Sequence, residues 1–452
     1  MSKTFQSLEH YNYRLWFVGN LFAASGQWMQ RIAQSWLVLT VLTPGGGVEV
    51  GILTALQFLP VLILSPWAGV VADRVNRRFL LQAAQALTGL LGLALGALIL
   101  TDLVSLWVVY GFAVLGGAIS AFDNPVRQAF VSELVPIRSL TNAIALNSTA
   151  FNLARLLGPA LSGFVIDWVG IGWVFVVNAG LFAVPVLTLS LMRVGELDRP
   201  EAIPRERGQL REAITYVRNR GDIILILIIV GVVSFLGLNF QLTSAMMATE
   251  VYELPAGGYG LMSTSLAVGA IGGSLMAARR GRPRLRLIVI SAFLFGTALT
   301  LLSLAPTYIW FLVLAIPVGI MSQTLIASAN AAVQITTEPK FRGRVMALYT
   351  MIFLGVTPFG APLIGWVAEQ FGARWSMAVG GVASILVAVG VALVGYLQLD
   401  IRLQRDRITG HLKLKVPEEF SEEVSHSLPD APLSAEERES AEESLEETES
   451  KE

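Results

Sequence analysis

Apolar runs long enough to cross a lipid bilayer recur along most of this chain, near 15–42, 50–72, 79–101, 103–122, 142–167, 171–192, 223–247, 258–278, 285–305, 307–333, 345–369 and 374–398. A hydrocarbon core about 30 Å thick takes roughly 20 apolar residues in helical form, and a backbone in lipid must satisfy its own amides. Each run is therefore expected to be a spanning helix. Only 14% of the 452 residues are charged, against roughly 25% in a soluble domain. The expected fold class is an all-α polytopic membrane protein with twelve transmembrane helices.

The charges sort by loop. Arg74, Arg77 and Arg78, then Arg127 and Arg138, the run from Arg193 to Arg220, Arg279 to Arg286, and Lys340, Arg342 and Arg344 occupy alternate connections. The other connections carry Glu49, Asp102, Asp167, Glu250, Glu253 and Glu369, with Arg374 as the clear cation. By the positive-inside rule both termini are expected in the cytoplasm. Residues 1–14 lack the short apolar core and small-residue cleavage site of a signal peptide, so the first span reads as a retained anchor.

The sequence also repeats. "GPALSGFVIDWVG" (158–170) aligns without gaps on "GAPLIGWVAEQFG" (360–372), sharing Gly158/Gly360, Leu161/Leu363, Gly163/Gly365, Val165/Val367 and Gly170/Gly372. The match falls in the fifth run and the eleventh. Parallel six-helix halves with a binding site between them are one plan for alternating-access transporters. The expected organisation is an N-terminal bundle over 1–193, a linker over 194–221 with an amphipathic helix on the inner leaflet ("GQLREAITYVRNR"), a C-terminal bundle over 222–400, and an acidic tail over 401–452. Too few apolar residues remain in that tail to offset ordering entropy, so it is expected to be disordered.

Two motifs carry mechanism. In "GVVADRVNRRFLL" (69–81), Gly69 permits close backbone approach, Asp73 caps or pairs at the membrane surface, and Arg74, Arg77 and Arg78 anchor the loop. The stretch resembles the signature G-x-L-A-D-R-x-G-R-R of the major facilitator superfamily, with Val71 for Leu and Asn76 for Gly; asparagine also tolerates the left-handed conformation. The second-half counterpart, "GSLMAARRGR" (273–282), lacks the aspartate. The resemblance implies that Asp73, Arg77 and an acid at the end of the fourth helix, Asp123 in "AFDNPVRQ", latch the outward-facing state. Ordinary anchoring of the loop is the plainer alternative.

"ARLLGPALSG" (154–163) is the second motif. Gly158-Pro159 removes a backbone donor and bends the helix, while Gly163 keeps its face thin. It resembles the glycine-rich motif of drug/proton antiporters, with Ser162 and Ala154 replacing glycines, and so implies export. The alternative is packing between the halves, since small residues are the usual contact surface of membrane helices. "MQRIAQSWLVL", "LNSTAFNLARLLGPALSG" and "FRGRVMALY" are most similar to the branch that holds the enterobactin exporter and macrolide-efflux-like proteins.

On the first helix Asn20, Gln27, Arg31 and Gln34 fall within a sector of about 60° at 100° per residue. Gln323 and Asn330 continue a similar stripe on the tenth helix, and Asn152 and Arg155 share one side of the fifth. In the facilitator fold helices 1, 4, 7 and 10 line the central cavity and helix 5 borders it, so these residues are the candidate substrate cavity. An arginine at mid-depth costs about 2.5–3.5 kcal/mol on insertion scales. The sequence places no carboxylate in the middle of any run, which leaves amides, carbonyls or an anionic substrate to meet Arg31 and Arg155.

Nothing points to catalysis. The three histidines, His10, His411 and His426, lie in the tails, cysteine is absent, and there is no G-x-x-x-x-G-K-[ST] loop. The chain is expected to be no enzyme, with no cofactor, metal or nucleic acid. Its partners are expected to be a small-molecule substrate, protons as coupling ion and the bilayer around a monomer in a bacterial plasma membrane. Export of a siderophore-like or drug-like amphiphile leads; import of an anionic nutrient and a non-transporting scaffold or sensor remain as alternatives.

Overall fold

The computed structural model describes residues 3–197, 209–278, 285–398, 402–405 and 412–415. After a short 3-10 turn, the first half comprises α1 (Tyr11–Leu37), α2 (Gly47–Arg74), α3 (Arg77–Leu100), α4 (Leu106–Leu134), α5 (Ile137–Val169) and α6 (Ile171–Ser190). A linker helix α7 (Gln209–Arg218) precedes α8 (Gly221–Val232), α9 (Phe240–Met246), α10 (Ala256–Ala278), α11 (Leu285–Ser303), α12 (Tyr308–Thr336), α13 (Pro339–Gly355), α14 (Thr357–Phe371) and α15 (Ala373–Gln398). Among the described residues eleven helical segments are long and apolar enough to cross a membrane. The segment α1 is not one of them, because its polar stripe lowers its hydropathy although its 27 residues suffice in length.

Two of the expected single helices are interrupted. The seventh run is α8, a π-helical turn at Val233–Gly237, α9 and a second π turn at Met247–Val251. Asn239 sits in the gap and donates to the Phe235 carbonyl at 2.9 Å, so a group freed by the break is satisfied by a side chain. The eleventh run divides at Val356, where Pro358 near the start of α14 has no amide to continue the ladder of α13. The first helix also ends in a π turn, at Val38–Leu42, matching the Met247–Val251 turn of the second half.

The repeat seen in sequence is present in the backbone. Gly170 and Gly372 close α5 and α14 at φ of 90° and 94°, a left-handed region that glycine enters without a Cβ clash, and each starts the next helix at once. Within the first half α1 packs on α5 and α6, α2 on α4, and α3 on α6; within the second, α12 packs on α10 and α11. The halves meet through α2 with α14 and α5 with α10. One end of the molecule carries Arg77, Arg138, Arg193 and Arg344, and the other Glu49, Asp167, Glu250 and Glu369; these are the basic and acidic ends below.

Hydrogen bonds joining the halves cluster between the acidic end and the level of Arg31 and Leu156. The Val48 amide donates to Glu369 at 2.7 Å, the Gly257 amide to Asp167 at 2.8 Å, and the Thr264 hydroxyl to the Leu156 carbonyl at 3.0 Å. Gln241 donates to the Arg31 carbonyl and the Ser35 hydroxyl, both at 2.8 Å, while Trp36 and Tyr259 stack at 5.7 Å. At the basic end of the first half lies a separate apolar core, with Trp16 edge-on to Phe130 at 5.3 Å and Tyr13 donating to the Ala143 carbonyl at 2.7 Å.

The linker helix α7 rests on α13. Glu212 pairs with Arg344, the Tyr216 and Phe341 rings stack at 4.7 Å, and the Tyr216 hydroxyl accepts from the Glu338 amide at 3.3 Å. Val217 is buried and Ile214 exposed; Leu210 is described as backbone only. In the tail, Arg402–Arg405 and Leu412–Lys415 pair antiparallel with Arg402 opposite Lys415, where the sequence analysis expects disorder. Alternating leucine and charge in "LKLK" suits that period-2 pairing. The remainder of 401–452 lies outside the described residues, as do Arg279, Arg280 and Arg282.

Helix contact in lipid rests on small residues. A Cβ on Gly269 of α10 would come within 3.0 Å of the Gly319 Cα in α12, and one on Gly319 within 3.0 Å of the Gly269 Cα. By contrast a Cβ on Gly111 meets nothing within 4 Å. Gly319→Leu is expected to destabilise the protein by about 1–3 kcal/mol through overpacking, with Gly111→Leu close to neutral. Thermal unfolding of the two variants in detergent measures the difference.

Candidate functional site

The polar stripe of α1 divides between two surroundings. Gln27, Arg31 and Gln34, joined by Gln30, line a half-open cleft whose other walls are Gln57 of α2, Thr88 of α3, and Phe112 to Asp123 of α4. Gln57 donates to the buried Gln34 at 2.8 Å, and its own Oε1 is buried without a hydrogen-bond partner. The cleft is thus lined by amides, hydroxyls, the Arg31 guanidinium and the Asp123 carboxylate, with an acceptor left over.

The guanidinium of Arg31 lies over two aromatic rings, 5.6 Å from the Trp28 centroid and 5.1 Å from that of Phe58. Arg155, from the middle of α5, also lies over Trp28 at 5.6 Å. One indole therefore serves two cations, each contact contributing about 0.5–2 kcal/mol according to how dry the site is. Among the described residues neither guanidinium pairs with a carboxylate. Phe151 packs edge-on to Trp28 at 6.2 Å. Asn152 turns back on its own helix, donating to the Ser148 carbonyl at 2.9 Å.

Asn20 belongs to a different constellation. It is buried, donates to Asn147 at 2.6 Å, and accepts from Arg127 at 2.6 Å. Arg127 in turn makes two bonds to Asp123, at 2.9 and 2.7 Å, and Asp123 accepts from Gln85 at 2.7 Å. This buried chain corrects two expectations. Arg127 is not a loop residue and Asp123 is not at a helix end, because α4 runs on to Leu134, eleven residues beyond Asp123. Asp123 is 2% exposed, a carboxylate well inside a spanning helix.

The fourth-helix acid that meets Arg77 is Glu133, at 2.7 Å, where the resemblance implies Asp123. The reason is again the length of α4, which carries Glu133 to the basic end and leaves Asp123 deeper. Gly69, Asp73 and Arg74 are described as backbone only, so their side chains lie outside the described set. Arg78 closes the end of α6, donating to the carbonyls of Leu189 and Ser190. Asn76 does not use the left-handed conformation; at φ −60° it caps α3, its side chain accepting from the amides of Arg78 at 3.1 Å and Phe79 at 3.4 Å.

The second motif packs on both sides. A Cβ on Gly158 would come within 2.6 Å of the Trp28 Cβ, and Ser162 donates to the Met29 carbonyl at 3.1 Å, fastening α5 to α1. The Pro159 carbonyl faces Gly260, and Gly163 faces the Ala256 carbonyl, both in α10 of the other half. On α12, Gln334 donates to Asn330 at 2.6 Å, and Gln323 lies against Gly273 of α10. Neither Gln323 nor Asn330 lines the cleft around Arg31. Sequence reasoning missed Gln57, Gln85, Arg127 and Glu133; the Asp123/Arg127 spacing of four was the available signal, visible once α4 is extended.

Two like helical halves packed on each other, one of them holding a cleft lined with polar and cationic groups, are the architecture of a transporter. Residues 2–418 match the family described as transmembrane secretion effector, and the chain belongs to that family, a branch of the major facilitator superfamily. It is 24% identical over 379 residues to the staphyloferrin A transporter of Staphylococcus aureus, covering 83% of this chain and 94% of that one. It is 20% identical over 365 residues to macrolide efflux protein A of Streptococcus pyogenes, covering 79% and 90%. The fold matches a bacterial homologue of the human lysosomal transporter Spinster, solved in an inward-facing, unoccupied conformation, with a TM-score of 0.68 at 16% identity over 88% of this chain and 99% of that one. The protein is a multi-pass membrane transporter of the efflux type.

The Asp123–Arg127 pair sets a stability test. Removing one member of a buried ion pair costs about 3–5 kcal/mol by stranding the other charge. Asp123→Ala and Arg127→Ala are each expected to lower the unfolding temperature in detergent, and the double variant to recover much of the loss. An additive double-mutant cycle counts against a coupled pair.

Proposed function

We propose that this protein is a secondary exporter of a bacterial plasma membrane, with α1 as the twelfth span and both termini cytoplasmic, moving an anionic or acceptor-rich amphiphile outward in exchange for protons. The observation that carries the reading is the Arg31–Trp28–Arg155 cluster: two cations at membrane depth, held over aromatic faces and met by no carboxylate among the described residues. An isolated charge there is expensive. A negative or acceptor-bearing ligand supplies the missing partner, while Trp28, Phe58 and Phe151 supply apolar contact. Iron-free siderophores and amphiphilic acids have that chemistry.

The loop charges support the orientation, since the basic end belongs in the cytoplasm by the positive-inside rule. On that orientation the joined acidic ends shut the outer side, and the described conformation is one that loads from within. Outward movement of an anion and inward movement of a proton both run with an inside-negative potential, worth about 2.3 kcal/mol per charge per 100 mV. Asp123 is the group assigned to carry the proton: a carboxylate inside α4 that borders the same cleft as Arg31.

Transport into inverted vesicles tests the whole reading. With an iron-free catecholate siderophore as probe, wild type is expected to accumulate it when a proton gradient is applied, and Arg31→Ala and Arg155→Ala to lose at least about tenfold of the initial rate, one to two contacts by the cation–π scale. Asp123→Asn is expected to bind but not concentrate the probe. Wild-type rates in both arginine variants remove the anion site. Accumulation only in right-side-out vesicles makes the protein an importer. Deletion of 416–452 is expected to leave the flux intact, and its loss there favours a role centred on the tail.

A further inference from the structure

The two joints that hold the halves together are copies of each other. At one, α14 lies against the start of α2: Glu369 accepts from the Val48 amide at 2.7 Å, and a Cβ on Gly51 would come within 2.5 Å of the Ala361 carbonyl. At the other, α5 lies against the start of α10: Asp167 accepts from the Gly257 amide at 2.8 Å, and a Cβ on Gly260 would come within 2.6 Å of the Pro159 carbonyl. The repeat that lays 158–170 on 360–372 sets Asp167 on Glu369, Pro159 on Ala361 and Gly163 on Gly365. On the receiving side Val48 and Gly257 are each the second residue of their helix, and Gly51 and Gly260 the fifth. Gly163 and Gly365 complete the match by facing the carbonyls of the first residues, Ala256 and Gly47.

The chemistry of each joint is that of a helix start. The first amides of a helix have no partner within it, and its N-terminus favours negative charge. Gly46, before α2, has no side chain to cap it, although Glu49 puts an acid in that first turn, and α10 has no acid in its own first turn. In each case the missing cap comes from the opposite half, across the glycine contact that lets the two backbones approach. Two carboxylates on symmetry-related turns thus satisfy amides that water would otherwise take.

We propose that Asp167 and Glu369 are paired gating residues, latching the acidic ends shut by capping helices of the opposite half and releasing both caps together when the halves part. The proposal goes beyond the substrate reading and does not depend on it, because neither residue borders the cleft around Arg31. The competing account is that the glycine surfaces alone hold the joint and the carboxylates are incidental to it.

The test reads conformation without substrate. The chain has no cysteine, so Thr101→Cys and Leu304→Cys, exposed at the acidic ends of α3 and α11 in opposite halves, accept spin labels on the full-length protein in nanodiscs. Asp167→Ala and Glu369→Ala are each expected to move the ratio of long to short distances about two- to fivefold towards long, the size of one carboxylate at a helix start. In the double variant the two factors multiply. Asp167→Asn with Glu369→Gln, which keeps side-chain size and removes the charge, is expected to shift the same way and serves if the alanine pair does not fold. An unchanged distribution in the double variant, or a shift from one acid alone, overturns the proposal. Loss of siderophore transport in the arginine variants leaves it standing.

Discussion

A backbone amide in hydrocarbon has only the protein to bond to, and the architecture follows from that. Unbroken helices meet the demand internally, so α3, α4, α5 and α12 run their full lengths with prolines at 125, 159 and 317 carried inside them. Where the ladder is interrupted, at Val233–Gly237 and at Val356, the gap lies within the bundle, and Asn239 supplies a side-chain donor. Helix starts pose the same demand at the membrane surface, met by Asn76 for α3 and by acids of the opposite half for α2 and α10. Hydrocarbon also removes the hydrophobic drive for helices to associate, which leaves close packing as the cohesive term. The glycines at 269, 319, 360 and 365 are where that packing is tightest, because only a missing Cβ lets two backbones approach so closely.

Most of this organisation was legible in the sequence because its signals are local. Long apolar runs mark helices, alternate basic loops mark one end, and the ungapped match between the fifth and eleventh runs marks the duplication that the backbone repeats at Gly170 and Gly372. The errors share a cause. Ending each run at its first polar residues stops the fourth helix at 122, whereas α4 continues through Asp123, Arg127 and Glu133. A charged pair four residues apart neutralises itself within one helix, and such a helix stays in the bundle while its hydropathy falls. Hydropathy also understates α1, whose amides face a cleft and a hydrogen-bonded chain rather than lipid. The grouping of Arg31 and Arg155 around Trp28 is out of reach for a different reason: it depends on which way α1 and α5 face each other, and no local pattern states that.

The two groups of charge in the first half are held by opposite means. Asp123 and Arg127 are closed upon themselves: the carboxylate takes three donors, and the guanidinium serves Asp123 and Asn20 while lying over Trp16 at 5.7 Å. Such a network rigidifies the basic side of the bundle, since opening it strands a charge in low dielectric. Arg31 and Arg155 are held by ring faces, which orient a guanidinium and lower its cost without using up its N–H donors. A planar cation lying over an aromatic ring keeps its edge free, and an anion approaches a guanidinium by that edge. Aromatic support is therefore compatible with reversible binding in a way that a carboxylate partner is not, because a carboxylate would occupy the fork and have to be displaced. In the proposed cycle Asp123 is the group for the proton and Arg31 the group for the substrate, and these two line one cleft of the N-terminal half. The second half meets this level through Gln241 on the Arg31 carbonyl and Thr264 on the Leu156 carbonyl, contacts that any rocking of the halves must break.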